Sequence, residues 1–270
     1  GSPLGTVKQL RGEVRGVDRG RFRPVRVLGR DKRPLDDLHC RAGWWTYLLL
    51  AGAVTMRLEF FGHACVLLGA SNGCRVVFDP FQPGAFRGRI RLAPFCGPVD
   101  AVVSSHGHLD HYHIDPSFGA PVLVDGPGQV RGIHFSCIQV PHGAPDGIDH
   151  GTVKVFCAVA DGVSVVHMGD AGRPLSRPEM DSLGRPDVLF VPVGGRFTMG
   201  PDEAASLVRL WRPGIVVPMH HSDPQVDINL APVDEFLALM DGHVKVDEIL
   251  DVDSLRKPDS TTVVVMAVSP

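Results

Sequence analysis

Residues 104–115 read SSHGHLDHYHID, with four histidines and two aspartates at the end of the apolar run AVVSS (101–105). In an extended turn, alternate residues share a face, so His106 and His108 direct their imidazoles to one point. Asp110 and His111 follow at once, and a tight turn presents this carboxylate and imidazole to a second, neighbouring point. Such groups suit Zn²⁺, Mn²⁺ or Fe²⁺. A catalytic zinc takes about three protein ligands and keeps one position open. Four residues cannot complete two such sites, so further ligands must come from elsewhere in the chain. His142 after CIQVP, Asp170 after VVHMG and His220 after IVVPM each stand just past an apolar run, beside Gly or Pro.

These residues need strands that end at one edge. From Met56 the chain shows MRLEFF, ACVLLG and CRVVFD in quick succession, rich in β-branched and aromatic residues, which predicts an antiparallel start. Strands are further predicted at 101–105, 120–124, 133–140, 152–160 and 163–170, and Asp161-Gly162 marks a two-residue hairpin. Beyond this, DVLFVPV (187–193), GIVVPMH (214–220) and TTVVVMAV (261–268) read as strands. PDEAASLVRLW (201–211) and VDEFLALM (233–240) read as helices, the first opening on a proline and acids. This pattern is best buried as an α/β sandwich, two facing mixed sheets with helices outside. Gly194-Gly195 and Thr198 lie in the loop after 187–193, where glycine lets backbone approach a substrate or the ligand loops closely.

HGHLDH (106–111), VPH (140–142), HMGD (167–170) and PMH (218–220), in that order, resemble the metallo-β-lactamase superfamily. FFGHAC (60–65), VVFDPF (77–82) and PVGGRFTMGPDEAA (192–205) resemble its branch of UlaG-like lactonases and small metal-dependent hydrolases. The resemblance covers 56–270 and implies the αββα sandwich of that family. It implies that His106, His108 and His142 hold one metal, that Asp110, His111 and His220 hold another, and that Asp170 bridges both. His63 would stand beside the site, and Asp79 would orient a ligand histidine or its loop. Relatives in this branch often carry a tyrosine where His221 follows His220, and the segment GAPDGIDHG after His142 lacks the acidic neighbour that many show. Both differences fall where substrate would be read.

The chemistry implied is hydrolysis without a side-chain nucleophile, and the sequence places no cysteine in a reactive setting. Two cations about 3.5–4 Å apart lower the pKa of a bridging water and take up oxyanion charge. Asp110 or His221 would move the proton to the leaving group. The expected cofactors are two divalent ions, zinc first, then manganese or iron, and the expected substrate is a small ester, with lactone favoured. Alternatives are a phosphodiesterase or nuclease, a non-hydrolytic metal- or metabolite-binding protein, and an iron enzyme on the same fold.

Charge bears on these alternatives. Residues 1–55 carry 11 Lys and Arg against 5 Asp and Glu, which leaves 16 against 25 for 56–270. An acidic body argues against nucleic acid as a partner. The Arg-rich segment 1–55 reads as an extension to the 56–270 domain, with Gly1-Ser2 a cleavage scar and Met56 a candidate natural start. Within it, 44–54 is too short to span a bilayer and stands too far from the start for an ordinary signal segment. The six cysteines show no CxxC pair and read as reduced, which points to the cytoplasm. A homo-oligomer stays open.

Overall fold

A computed structural model of the chain describes residues 56–143, 150–255 and 260–270. The expectations placed on 1–55, including the run 44–54, lie outside the described residues. Two mixed sheets form the body. The first has six strands in the order β13-β1-β2-β3-β4-β5, where β1 is Arg57–Phe60, β2 Val66–Gly69, β3 Arg75–Phe78, β4 Ala101–Val103, β5 Val122–Val124 and β13 Ile249–Asp251. The second has eight, in the order β12-β14-β11-β10-β9-β8-β7-β6. Its strands are β6 (Gly128–Val130), β7 (Ile133–Pro141), β8 (Thr152–Ala160), β9 (Val163–His167), β10 (Val188–Pro192), β11 (Ile215–Met219), β12 (Val244–Val246) and β14 (Thr262–Met266).

The period-two pattern of the first sheet divides its side chains between two cores. Leu58, Phe60, Val66, Leu68, Val76, Phe78, Ala101 and Val103 join the valines of β8 to β11 in one buried cluster between the sheets. Leu67, Val77 and Val102 face the other way, into a second cluster with Phe81, Phe95 and Phe118. The outer cover of the six-stranded sheet is therefore the 79–118 connection rather than a long helix.

On the eight-stranded sheet the cover is helical. α1 (Arg177–Leu183) precedes β10 and α2 (Pro201–Trp211) crosses from β10 to its parallel neighbour β11. α2 starts with Pro201, the Gly200 N–H donates to Glu203 Oε2 at 2.9 Å, and Ala204, Ala205, Leu207, Val208 and Trp211 are buried. Each large apolar side chain buried there contributes about 1.5–3 kcal/mol. The predicted 233–240 helix is a shorter α3, Val233–Leu237. The Asp161-Gly162 hairpin forms between β8 and β9 with φ of 52° and 72°, both positive as a type I′ turn requires.

Cys65, Cys74, Cys137 and Cys157 are free, but Cys96 is disulfide-bonded. This corrects the expectation that all six cysteines are reduced; Cys96 lies in the 79–118 connection, outside the strands whose packing motivated it. No helix among the described residues is long and apolar enough to cross a membrane.

Candidate metal centre

Strand ends build the site. β3 and β4 run parallel, with Phe78 beside Val103, so Asp79 emerges level with Ser104 and Ser105. The His106–His111 segment follows β4, His142 follows β7, Asp170 follows β9 and His220 follows β11. Ligands gathering beyond the carboxyl ends of parallel strands is the usual arrangement of open α/β sheets.

Asp79 organises the loop. It is buried; its Oδ1 accepts the Ser105 N–H at 2.6 Å, and its Oδ2 accepts the Ser105 hydroxyl at 2.7 Å and His111 Nδ1–H at 2.8 Å. Since Ser105 Oγ donates to the carboxylate, it accepts from His106 Nδ1, 2.9 Å away. His142 Nδ1–H donates to the Phe197 carbonyl at 3.1 Å. These bonds fix three tautomers and leave Nε2 of His106, His111 and His142 with a free lone pair. Ser104 Oγ, meanwhile, lies 2.8 and 2.6 Å from the carbonyls of His106 and His111, which closes the loop on itself.

The free nitrogens converge. Among the described residues, three groups have ligand atoms within 4.8 Å of one another: His106, His108 and His142; His63, Asp110, His111 and His220; and His106, His111 and Asp170. His108 Nδ1 lies 3.0 Å from His106 Nε2 and 3.2 Å from His142 Nε2. Lone pairs facing one another at that range repel unless a proton or a cation lies between them. Asp170 reaches both sides, with Oδ2 3.8 Å from His142 Nε2 and 3.3 Å from His220 Nε2, and Oδ1 3.2 Å from His111 Nε2. His111 Nε2, His220 Nε2, Asp110 Oδ1 and Asp170 Oδ1 are buried without a hydrogen-bond partner. Buried polar atoms are rarely left so, and a divalent cation suits this donor set.

Electrostatics agree. Burial, then the neighbouring His220, holds His63 down to about 4, and burial, then His111, takes His106 down to about 3. Both imidazoles are therefore neutral at ordinary pH, as metal ligation requires. Burial works against ionisation of Asp110 and Asp170, yet His111 and the hydrogen bonds around them bring both carboxyls well below the usual range. His111 is pushed up against its burial by Asp170, Asp110 and Asp79. Three buried carboxylates thus call for positive charge at this point, and a metal ion would take the place of the His111 proton.

All seven residues expected as ligands fall in these groups, and His63 joins them. His63 Nε2–H donates to Asp110 Oδ2 at 3.0 Å, which makes it a positioning residue for that carboxylate. His63, Asp79 and His220 have φ of 54°, 42° and 51°. Left-handed backbone at three non-glycine residues costs of order 1–3 kcal/mol each and gathers at functional sites. His221, expected to move protons, belongs to none of the donor groups; its Nδ1 donates to the Ser222 carbonyl at 3.0 Å. Gly195 (φ 83°) and buried Thr198, whose hydroxyl donates to the Met199 carbonyl, shape the loop that carries Phe197. His167 is buried, donates from Nε2 to the Ala64 carbonyl and accepts the Gly169 N–H at Nδ1, so it supports the Asp170 turn.

Two glycines carry close approaches, Gly194 as its place in the loop after 187–193 suggests and Gly169 without such a reading. A Cβ on Gly194 would lie 2.1 Å from the His220 carbonyl oxygen, and one on Gly169 would lie 2.5 Å from Ser105 Cβ. Glycine directly after an apolar strand was the available signal. The His150 ring lies 5.1 Å from that of His142, tilted by 36°, and lines the cleft above the donors.

The family model described as "Beta-lactamase superfamily domain" matches residues 57–220. A Thermotoga maritima protein, described as a Zn-dependent hydrolase of the metallo-β-lactamase superfamily, aligns with TM-score 0.63 and 33% identity over 78% of this chain and 98% of its own. The chain belongs to the metallo-β-lactamase superfamily. Its similarity to a metal-dependent hydrolase of Methanospirillum hungatei is 33% over 192 residues, 62% of this chain and 83% of that protein. Igni18 of Ignicoccus hospitalis, called a metallo hydrolase, shares the fold at TM-score 0.52 and 22% identity over 80% of this chain and 97% of its own. Membership of this superfamily, with such relatives, makes the chain a metal-dependent hydrolase.

Proposed function

We propose that this metal-dependent hydrolase uses two divalent ions to open a small ester, with a lactone as the favoured substrate. His106, His108 and His142 would hold one ion and Asp110, His111 and His220 the other, with Asp170 contributing to both. The observation that carries the reading is the reach of Asp170 between His142 Nε2 and His220 Nε2, at 3.8 and 3.3 Å. When bound, two such ions lower the pKa of water toward neutrality and stabilise developing oxyanion charge. Neutral imidazoles on one side and carboxylates on the other suit zinc first, then manganese or iron.

The chain's own groups do the rest. Asp79 and Phe197 O keep His111 and His142 in the ligating tautomer, and Ser105 does so for His106. His63 holds the Asp110 carboxylate, which lines the cleft and stands where a proton can pass to a leaving oxygen. In balance, water gives OH to the acyl carbon and a proton to the alkoxide, so a lactone becomes a hydroxy acid.

The test is metal content of the purified chain, followed by a panel of lactones, simple esters and phosphodiesters assayed with zinc, manganese and iron. Close to two ions per chain and lactone turnover that His108→Ala abolishes are expected. Turnover in fully chelated protein, or turnover of phosphodiesters alone, would overturn this reading.

A further inference from the structure

The cleft above the donor atoms has a volume of about 510 Å³, the size of a small-molecule site. His108, Asp110, His142 and Asp170 form its floor. Its walls are of another kind: Phe86, Arg89, Arg196, Phe197, Ile228 and Asn229. Both arginines are exposed, and among the described residues neither guanidinium has an ion-pair or hydrogen-bond partner. Asp227 also lines the cleft, and its N–H donates to the Arg89 carbonyl at 2.9 Å. The Arg196 guanidinium carbon stands 5.2 Å from the centre of the Phe197 ring. A planar guanidinium resting on an aromatic face is set to present its N–H fork outward, and carboxylate and phosphate oxygens match that fork.

The wall is also built under strain. Phe86 and Arg87 hold left-handed backbone, with φ of 54° and 63°, as does Asn229 at 55°. The turn is closed by Gly84 N–H to Ile90 O at 3.1 Å and Arg89 N–H to Ala85 O at 3.1 Å. A bridge between Ile90 and Val226 ties it to the segment bearing Ile228 and Asn229. The result leaves a phenylalanine 39% exposed at the mouth of a metal cleft. Strain of this kind, set around an uncovered aromatic ring, points to a ligand that covers it.

We infer that Arg89 and Arg196 recognise an anionic oxygen group, carboxylate or phosphate, on the substrate, while Phe86, Phe197 and Ile228 cover its apolar middle. This inference rests on the hydrolase reading above and adds the substrate class: a small ester or lactone bearing an anion away from the scissile bond. The domain around the cleft is acidic, with 16 Lys and Arg against 25 Asp and Glu in 56–270. Arg89 and Arg196 are the two basic side chains lining this cleft, whose acidic groups are Asp110 and Asp170 among the donors and Asp227 beside Ile228.

The experiment uses the full metal-loaded chain with Arg89→Gln, Arg196→Gln, the double variant and Arg196→Lys. Matched esters carrying a carboxylate, a phosphate or no charge are compared. Preference for the anionic over the neutral ester should fall about tenfold or more in each Gln variant, mainly through KM, with Arg196→Lys keeping part of it. Whichever anionic arm loses more identifies the group recognised. Equal preference in wild type and double variant would overturn the inference.

If no ester is turned over, the hydrolase reading fails, and the anion site is read separately. Calorimetric binding of glutarate and phenylphosphonate to the metal-loaded chain should then weaken about tenfold or more in the double variant. Unchanged affinity for both probes would overturn the inference on its own.

Discussion

Substitution of Asp79 by Asn tests whether the carboxylate behind the donors controls metal binding. The change is nearly isosteric, and all three of its hydrogen bonds are to groups that donate: Ser105 N–H, Ser105 Oγ–H and His111 Nδ1–H, at 2.6, 2.7 and 2.8 Å. An amide can keep its oxygen on one side only. If oxygen faces the Ser105 N–H, its NH₂ meets His111 Nδ1, which must then give up its proton and place it on Nε2. That nitrogen is the one 3.2 Å from Asp170 and 3.5 Å from Asp110, so it can no longer ligate. If the amide turns round, two donors face each other at Ser105, with a penalty of about 1–3 kcal/mol for the buried group left unpaired. Loss of such an orienting partner lowers metal affinity about ten- to a hundredfold, equivalent to about 1.4–2.8 kcal/mol. Competition with a chromophoric chelator would measure this for each equivalent of metal. The group containing His111 should weaken far more than the His106, His108 and His142 group. An Asp79→Asn variant that binds both equivalents as tightly as wild type would refute the tautomer argument.

Two further outcomes follow from local geometry. Gly194→Ala places a methyl 2.1 Å from the His220 carbonyl oxygen; it should lower stability by about 1–3 kcal/mol and reduce metal retention at His220, read by denaturation and metal content. Glu179 accepts two bonds from Arg173 at 2.8 Å and caps the start of α1 through the Ser176 N–H. Those partners, Arg173 first, hold its carboxyl down to about 2 from an ordinary 4.5. A depressed carboxylate stabilises the fold above the unfolded pKa, and the benefit is lost as pH falls from about 4.5 through about 2. Glu179→Gln should therefore flatten that acid limb of the denaturation midpoint, and a variant with the wild-type pH profile would contradict it.

Much of this arrangement is legible in the residues themselves. Strands with long buried apolar runs, such as Val188–Pro192 and Ile215–Met219, and the proline-opened helix Pro201–Trp211 stand close to where periodicity puts them. β6, β12 and β13 are three residues each, and β6 and β12 are largely exposed, so neither carries a run that pattern can detect. α1 does carry a signal in Ser176 and Glu179, the spacing of a capping box, but it is only seven residues long and offers little helical period to reinforce it. At the site, histidines past strand ends reveal the donors. Arg89 belongs to no motif and Arg196 stands within PVGGRFTMGPDEAA with no role that the pattern assigns it, and only the fold of the 84–90 turn and the 194–199 loop brings them to one cleft. His63 meets Asp110 across 47 residues, a contact that no local pattern encodes.

The donors are divided between the sheets. His106, His108, Asp110 and His111 follow a strand of the six-stranded sheet, whereas His142, Asp170 and His220 follow strands of the eight-stranded one. An ion in either group would thus be a reversible clasp between the two halves of the sandwich, closing chain loops as a disulfide would. By mass action, a clasp at a hundredfold excess over its dissociation constant adds about 2.7 kcal/mol to the folded state. Chelation should then lower the stability of the sandwich and silence the enzyme in the same step.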